Sequence, residues 1–382
     1  MKRQALNGGD LALLRRLNND AVLRVLRGSG PMTLTEIAKA SGLSRHTVDL
    51  VLEELERQGW TEELAPERGM GRPARRYRFR ADAGYVLGID VGHRSTRYLL
   101  ADLDGTAVDS RVVEQDVPGT ERLEAIRAAA VAFTSGHDGA RVRAVCLGVP
   151  GIVDAAGRVR RCDLLPEWDG LDLGERAATW FGCPALADND ANLAAVAEHW
   201  RGAAQDSGDF VHLLIGHRTG AALMLDGRLY RGRTGAAGEI AALAVLGWDG
   251  ADRDSLGDGA DLAEVFAAAA RGEHAALERV DRFARTYATG AAAMVLTLNP
   301  DLLVIGGGIS LAGETLAEPM RHHLEQLCTE VPPVRVSPLG TEAVALGAVQ
   351  SALERCDRDL FEFPTMFDGP APAAERPSVT SG

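Results

Sequence analysis

Two tripeptides of identical composition, Gly92-His93-Arg94 and Gly216-His217-Arg218, each follow an apolar run. A glycine turn carrying an imidazole and a guanidinium presents several hydrogen-bond donors in a small space, which is chemistry suited to anions. Should the fold set the two turns face to face, His93, Arg94, His217 and Arg218 would form a pocket for an acidic or phosphorylated metabolite. The other reading has four long polar side chains filling space in two solvated loops. A second group with chemical potential lies near the N-terminus. Ser44, Arg45, His46, Thr47 and Asp49 stand at the start of an apolar-striped segment, where an arginine can hold phosphate or guanine, a threonine a base edge and an aspartate a cytosine amine. Downstream, Arg68, Arg72, Arg75, Arg76, Arg78 and Arg80 occur with no acid between Arg68 and Arg80.

These residues need elements to position them. A helix is expected over residues 20–27, capped by Asn18 or Asn19 and ended by Gly28-Ser29-Gly30-Pro31. A second is expected from Thr33 to Ala40, with Leu34, Ile37 and Ala38 inward. After the turn Ser41-Gly42-Leu43-Ser44, a third runs from Arg45 to Gln58 with Val48, Val51, Leu52 and Leu55 on one stripe. Strands at 60–64 and 77–80 flank a stiff tip, Gly71-Arg72-Pro73, shaped to carry Arg72 into a minor groove. This layout predicts a winged helix-turn-helix over residues 1–80, with the start of the third helix meeting base edges of double-stranded DNA. Residues 1–80 hold 15 Lys+Arg against 10 Asp+Glu, a net +5 within a chain of net −13, so the remainder is strongly acidic. A basic head on an acidic body would orient an encounter with DNA.

From Tyr85 onward strands alternate with helices. Strands are expected at 85–90, 97–102, 142–149, 185–188, 210–216, 221–225 and 302–305, and helices at 123–135, 190–200, 262–271 and 275–297. The pattern predicts an α/β body over residues 85–355, with a hint of duplicated halves around a cleft. Mixed-charge stretches such as residues 121–127 and 249–258 read as solvated surface, and the Pro-containing residues 363–382 as a disordered tail. Five scattered cysteines make neither a disulfide framework nor a metal cluster. The start of the chain has no secretory pattern and no apolar run approaches the ~20 residues of a membrane helix, so a cytoplasmic protein without membrane partners is expected.

The motifs Gly148-Val149-Pro150-Gly151, Leu165-Pro166-Glu167-Trp168, Asn189-Asp190-Ala191-Asn192, Gly235-Ala236-Ala237-Gly238-Glu239-Ile240, Val304-Ile305-Gly306-Gly307-Gly308 and Glu342-Ala343-Val344-Ala345-Leu346-Gly347-Ala348 occur in this order. Together they resemble the ROK family of repressors and sugar kinases, and the likeness covers about residues 10–355. The resemblance implies a two-lobed, actin-like, sugar-kinase body. It also implies an effector or substrate site at Asn189, Asp190 and Glu239, with Asp190 in the position of the base that deprotonates a sugar hydroxyl. Read from the residues alone, Asp188, Asn189 and Asp190 also suit the cap of the following helix.

The chain departs from that family where phosphate would bind. The family's Asp-x-Gly-Gly-Thr turn is here Asp90-Val91-Gly92-His93-Arg94, and the second glycine-rich loop is Gly216-His217-Arg218-Thr219-Gly220-Ala221-Ala222. Side chains stand where backbone N–H groups would cradle phosphates. Ala242 replaces the family's zinc-ligating histidine, Leu246-Gly247-Trp248-Asp249-Gly250 stands in place of its cysteines, and Leu164 replaces a sugar-contacting asparagine. The expectation is a DNA-binding regulator, a repressor, with Asp190 a relic, no metal and no cofactor. It would bind a palindromic operator as a homodimer or larger homo-oligomer. A sugar or a phosphorylated or acidic metabolite is the candidate effector. An active ATP-dependent sugar kinase with an appended head is the alternative.

Overall fold

The computed structural model describes residues 8–65, 75–115, 117–137, 141–216, 218–248 and 262–360. These fall into two compact units. One is a head formed by the residues before Gly84 together with the last turns of the C-terminal helix from Glu354; the other is a body spanning Gly84–Leu353.

The head contains helices α1 (Gly8–Leu26), α2 (Leu34–Ser41) and α3 (Arg45–Gln58), and strands β1 (Met32–Thr33), β2 (Thr61–Leu64) and β3 (Arg76–Phe79) in the order β1-β3-β2. α2 is fastened by a reciprocal cap: the Thr33 side chain accepts from Glu36 N–H, and Glu36 accepts from Thr33 N–H. Gly42, at φ 71°, adopts the left-handed conformation that lets α2 stop and α3 start within three residues. Val22, Leu23, Leu26, Ile37, Val48, Val51, Leu52 and Leu55 are buried in the head.

The helix expected to begin at Asp20 begins at Gly8, so Asn18 and Asn19 lie inside α1 rather than at its cap. Asparagine costs only a few tenths of a kcal/mol, roughly, inside a helix. Here Asp20 pairs with Arg24 one turn on, at 3.4 Å, while the apolar stripe at Val22, Leu23 and Leu26 holds the helix down. The two-residue β1 was not anticipated; it is too short to leave a periodicity in the sequence.

The body is two five-stranded sheets wired alike. In the first, β4 (Tyr85–Val91), β5 (Ser95–Asp102) and β6 (Ala107–Glu114) form an antiparallel meander. β7 (Val142–Val149) and β10 (Ala185–Asn189) extend it in parallel on the other side of β4, giving the order β10-β7-β4-β5-β6. A two-stranded ribbon of β8 (Ile152–Val153) and β9 (Val159–Arg161) precedes β10. In the second sheet, β11 (Phe210–Ile215), β12 (Thr219–Leu225) and β13 (Arg228–Leu229) form the meander. β14 (Leu302–Gly306) and β15 (Val334–Val336) add in parallel, in the order β13-β12-β11-β14-β15. The hint of duplication in the sequence is thus realised strand for strand.

Helices α4 (Gly119–Ser135) and α5 (Leu173–Phe181) cover one face of the first sheet, with Ile126, Phe133 and Leu173 packed on Leu87, Ile89 and Tyr98. α7 (Leu262–Ala270), α8 (His274–Leu298) and α9 (Glu314–Leu327) cover one face of the second. α6 (Asp190–Arg201) packs on the opposite face of that sheet through Ala191 and Ala195. It also meets α10 (Ala343–Leu360) closely: a Cβ built at Gly347 would lie 1.7 Å from the Leu193 carbonyl oxygen. Only glycine permits that approach. α10 lies equally tight on β4, since a Cβ at Gly88 would stand 2.4 Å from the Ala345 carbonyl oxygen.

Candidate functional site

In the head, Ser44 caps α3, its Oγ accepting from Thr47 N–H at 3.1 Å and lying 2.8 Å from Thr47 Oγ1. The polar atoms of Ser44 and Thr47 are therefore engaged with each other, and Arg45 and His46 are left exposed beside them. Asp49 is half-buried and turned toward the sheet, where its charge acts on Arg75 and Tyr77. Arg75 lies 3.4 Å from Glu63. Arg76 donates to the Pro31 carbonyl at 2.8 Å, which ties β3 to the segment before α2. Arg78 pairs with Glu62, and Arg80 with Asp82 at 3.2 Å.

The arginine-rich stretch is consequently less one-sided than its sequence suggested. Strand pairing sets Glu63 against Tyr77 and Glu62 against Arg78, and a reading confined to residues 68–80 overlooked those acids. Arg68 and the expected tip Gly71-Arg72-Pro73 lie outside the described residues.

In the body, the two Gly-His-Arg turns occupy equivalent places. Each connects the first and second strands of its meander, β4 to β5 and β11 to β12. The first turn is held from behind by Arg122 of α4, only 6% exposed, whose guanidinium donates to the His93 carbonyl at 2.8 Å and to the Gly92 carbonyl. Arg122 was expected on a solvated helix face. Instead, two backbone carbonyls satisfy part of its fork and make burial tolerable. His93 and Arg94 are exposed. The second turn is tied to α8 through Thr219 Oγ1, 2.8 Å from the Tyr287 hydroxyl. Arg218 is exposed, with Asp163 at 3.9 Å, and Asp163 also binds Arg161 at 2.7 Å. His217 lies outside the described residues.

Between these turns the structure gathers carboxylates. Asp90, at the end of β4, is pushed up to about 7, first by burial and then by the charge of Asp190, with Arg97 opposing. Asp190, the first residue of α6, is raised to about 6 by burial and by Glu239, against the Ala191 N–H and the Asn189 amide that bind it. Burial and the charge of Asp163 raise Glu239 as well. Gly238, at φ 90°, makes the turn before Glu239, and a Cβ there would lie 2.1 Å from the Ala221 carbonyl oxygen. The expected group of Asn189, Asp190 and Glu239 is therefore brought together, with Asp90 added. Of the four residues of the expected anion pocket, Arg218 faces a carboxylate on this acidic floor, and His217 lies outside the described residues.

The two readings of the Asp188-Asn189-Asp190 run divide between its members. Asp188 is buried and saturated, accepting from Arg231 at 2.6 and 2.9 Å, from Asn192 Nδ2 at 2.9 Å and from Asn189 N–H at 2.8 Å. Asn189 caps α6 through Asn192 N–H at 3.0 Å and donates to Gly151 O and Asp190 Oδ1, each at 3.0 Å. Asp190 Oδ1 accepts from Ala191 N–H at 2.8 Å.

At the zinc-histidine position implied by the family resemblance, Ala242 presents a methyl group, and Trp248, in the segment that replaces the cysteines, is buried. Residues 249–261 lie outside the described residues. The Trp248 ring lies 5.4 Å from that of Tyr287 and its Nε1 donates to the Thr286 carbonyl at 3.2 Å. A methyl group and an indole do not fit a metal; Trp248 forms an aromatic plug against Tyr287 instead.

Fold and site together define a sugar-kinase-like body carrying a helix-turn-helix head. The ROK family profile matches residues 86–245 and 251–355, and an IclR helix-turn-helix domain matches residues 21–65. The chain belongs to the ROK family. It is 23% identical over 408 residues to a xylose repressor of Caldicellulosiruptor bescii, covering 93% of this chain and 99% of that protein. It is 28% identical over 313 residues to a glucokinase of Thermotoga maritima, covering 71% of this chain and 98% of that one. Among solved structures, a ROK family transcriptional regulator described as a homolog of the E. coli MLC protein superposes with a TM-score of 0.69 at 21% identity, covering 91% of this chain and 98% of that chain. Among the described residues, no helix is long and apolar enough to cross a membrane.

Proposed function

We propose that this chain is a sequence-specific DNA-binding transcriptional regulator, a repressor, whose body binds a small effector without phosphorylating it. The observation that carries the reading is the union of an IclR-type helix-turn-helix with a ROK body in one chain that matches a xylose repressor almost end to end. The glucokinase likeness covers only the body's share of the chain. Loss of enzymatic function is supported by the two turns: His93 and Arg94 take the places of a glycine and a threonine, and the protein's own Arg122 holds the first turn by its carbonyls.

The acidic floor bears on the effector. Asp90, Asp190 and Glu239 would accept hydrogen bonds from hydroxyl groups and would repel phosphate. A neutral polyhydroxylated molecule of the sugar class suits them better than a phosphorylated or acidic metabolite. Such a ligand regulates only by binding one state of the body better than another. Two copies would place their heads on the half-sites of a palindromic operator.

Selection of random duplex DNA with purified protein tests the reading. One enriched palindrome is expected, weakened by Arg45→Ala and Arg72→Ala and released by a neutral pentose or hexose but not by its phosphate ester. No enrichment in any condition would sink it. The kinase alternative keeps one observation in its favour, the buried carboxyl of Asp190 at the start of α6, raised to about 6. ATP-dependent phosphorylation of a sugar, abolished by Asp190→Asn, would establish it.

A further inference from the structure

The outer face of α3 differs from what the order of its residues suggests. Val48, Val51, Leu52 and Leu55 point into the head. Asp49 lies on the flank toward the sheet, where its charge acts on Arg75 and Tyr77. On the other flank, Glu54 pairs with Arg57 and Gln58 and feels the charge of Arg15 on α1. With 3.6 residues per turn, the stripe farthest from the core runs through His46, Leu50, Glu53 and Arg57, all of them exposed. At its centre is Leu50, an isobutyl group 54% exposed and one turn beyond His46.

We propose that Leu50 is a base-reading residue, making an apolar contact with the C5-methyl group of a thymine in the major groove. This rests on the regulator reading above and assigns a specificity determinant within it. The thymine methyl is the one apolar feature of a base pair's major-groove edge, so an apolar side chain on a reading stripe can discriminate thymine and little else. The charges on α3 bear on how far the helix can enter. Glu53 and Glu54 would be repelled by phosphates if the whole helix lay along a strand. A helix entering the groove by its first two turns puts Arg45 and His46 near the phosphates and base edges and leaves Leu50 as the deepest apolar group. Glu53 is then directed at the base pairs, where a cytosine amine would satisfy it. Thr47, whose hydroxyl is engaged by Ser44, is left a lesser part than its sequence position suggests.

The experiment uses the full-length protein and the half-site found by selection. Each thymine in turn is replaced by deoxyuridine, which removes only the methyl group, and equilibrium binding is followed by fluorescence anisotropy at fixed salt. For the wild type, affinity should fall roughly fourfold at one thymine per half-site, the equivalent of burying one methyl. Leu50→Ala, an exposed change that leaves the head's core untouched, should bind the two duplexes equally. Wild-type binding indifferent to every deoxyuridine, or a loss that persists unchanged in Leu50→Ala, overturns the assignment while leaving the regulator reading standing. Absence of any specific half-site would overturn both, and would be evident before the substitution series begins.

Discussion

Burial raises both Asp90 and Asp190, and the charge of Asp190 lifts Asp90 further. Their effect on stability has a definite sign. A carboxyl that titrates near 7 in the folded chain and near 4 when unfolded binds more protons in the native state across that window. Stability therefore declines as pH rises from about 4 to about 7, and the cost stays fixed above it. Asp90→Asn should raise the midpoint of thermal unfolding at pH 8 and leave it nearly unchanged near pH 4; a lowered midpoint at pH 8 would contradict the picture. Arg122 gives the opposite kind of prediction. Arg122→Leu strips the Gly92 and His93 carbonyls of their donor and should cost about 2 kcal/mol in urea denaturation, with faster amide exchange at residues 93–95. Neither residue's setting was legible in the sequence. Arg122 sits in a run of alternating acids and bases that reads as solvent-facing, and only the return of the chain through α4 reveals that it lies under the first turn.

Elements were easier to foresee than partners. α3 forms where its stripe of Val48, Val51, Leu52 and Leu55 placed it, and β7 occupies the apolar run at 142–149. These segments carry a strong period or a long apolar stretch. Contacts made by residues distant in sequence were not foreseen: the pairing of Glu62 and Glu63 with the arginine strand, the Thr219–Tyr287 tie, and the aromatic plug at Trp248. Each depends on which strands or helices become neighbours, and no local pattern records that. The crossing of α6 and α10 offers the sharpest test at this scale. Gly347→Val would drive a branched side chain into the Leu193 backbone, and since neither helix can back away from its sheet without opening a cavity, a loss of about 3 kcal/mol or more is expected. Thermal unfolding of the variant within a degree of wild type would mean that the helices are not packed as described. Tyr287→Phe, by contrast, removes one hydroxyl and should cost only about 1 kcal/mol, while speeding exchange at residues 216–220.

For the whole molecule, the division of charge matters more than the total. The net +5 of residues 1–80 is set against an acidic remainder. Among the described residues, Arg57, Arg75, Arg78 and Arg80 are paired with acids, so they offer less charge to phosphates. Affinity for DNA should fall with salt, with a log–log slope of only about −3 to −5, smaller than a fully basic wing would give. A slope near −10 would mean that the paired arginines let go of their acids on binding. The two-lobed body was legible because its glycine motifs recur in a fixed order. The chemistry of its carboxylates was not, because Asp90, Asp190 and Glu239 are far apart in sequence and acquire their raised proton affinity first from burial in the fold and then from neighbouring charge.

Arg27, at the end of α1, forms an ion pair with Asp357, a residue 330 positions later and within the same compact head. The ribosome makes these partners far apart in time. At roughly 5–20 residues per second, Asp357 follows Arg27 by something like a quarter of a minute to a minute. The head is thus begun before the body is translated and completed only after it. Throughout that interval a newborn chain carries helices able to approach nucleic acid, but without the final turns of α10 that belong to the same unit. The last turns of α10 can join the head only after the body between has been made.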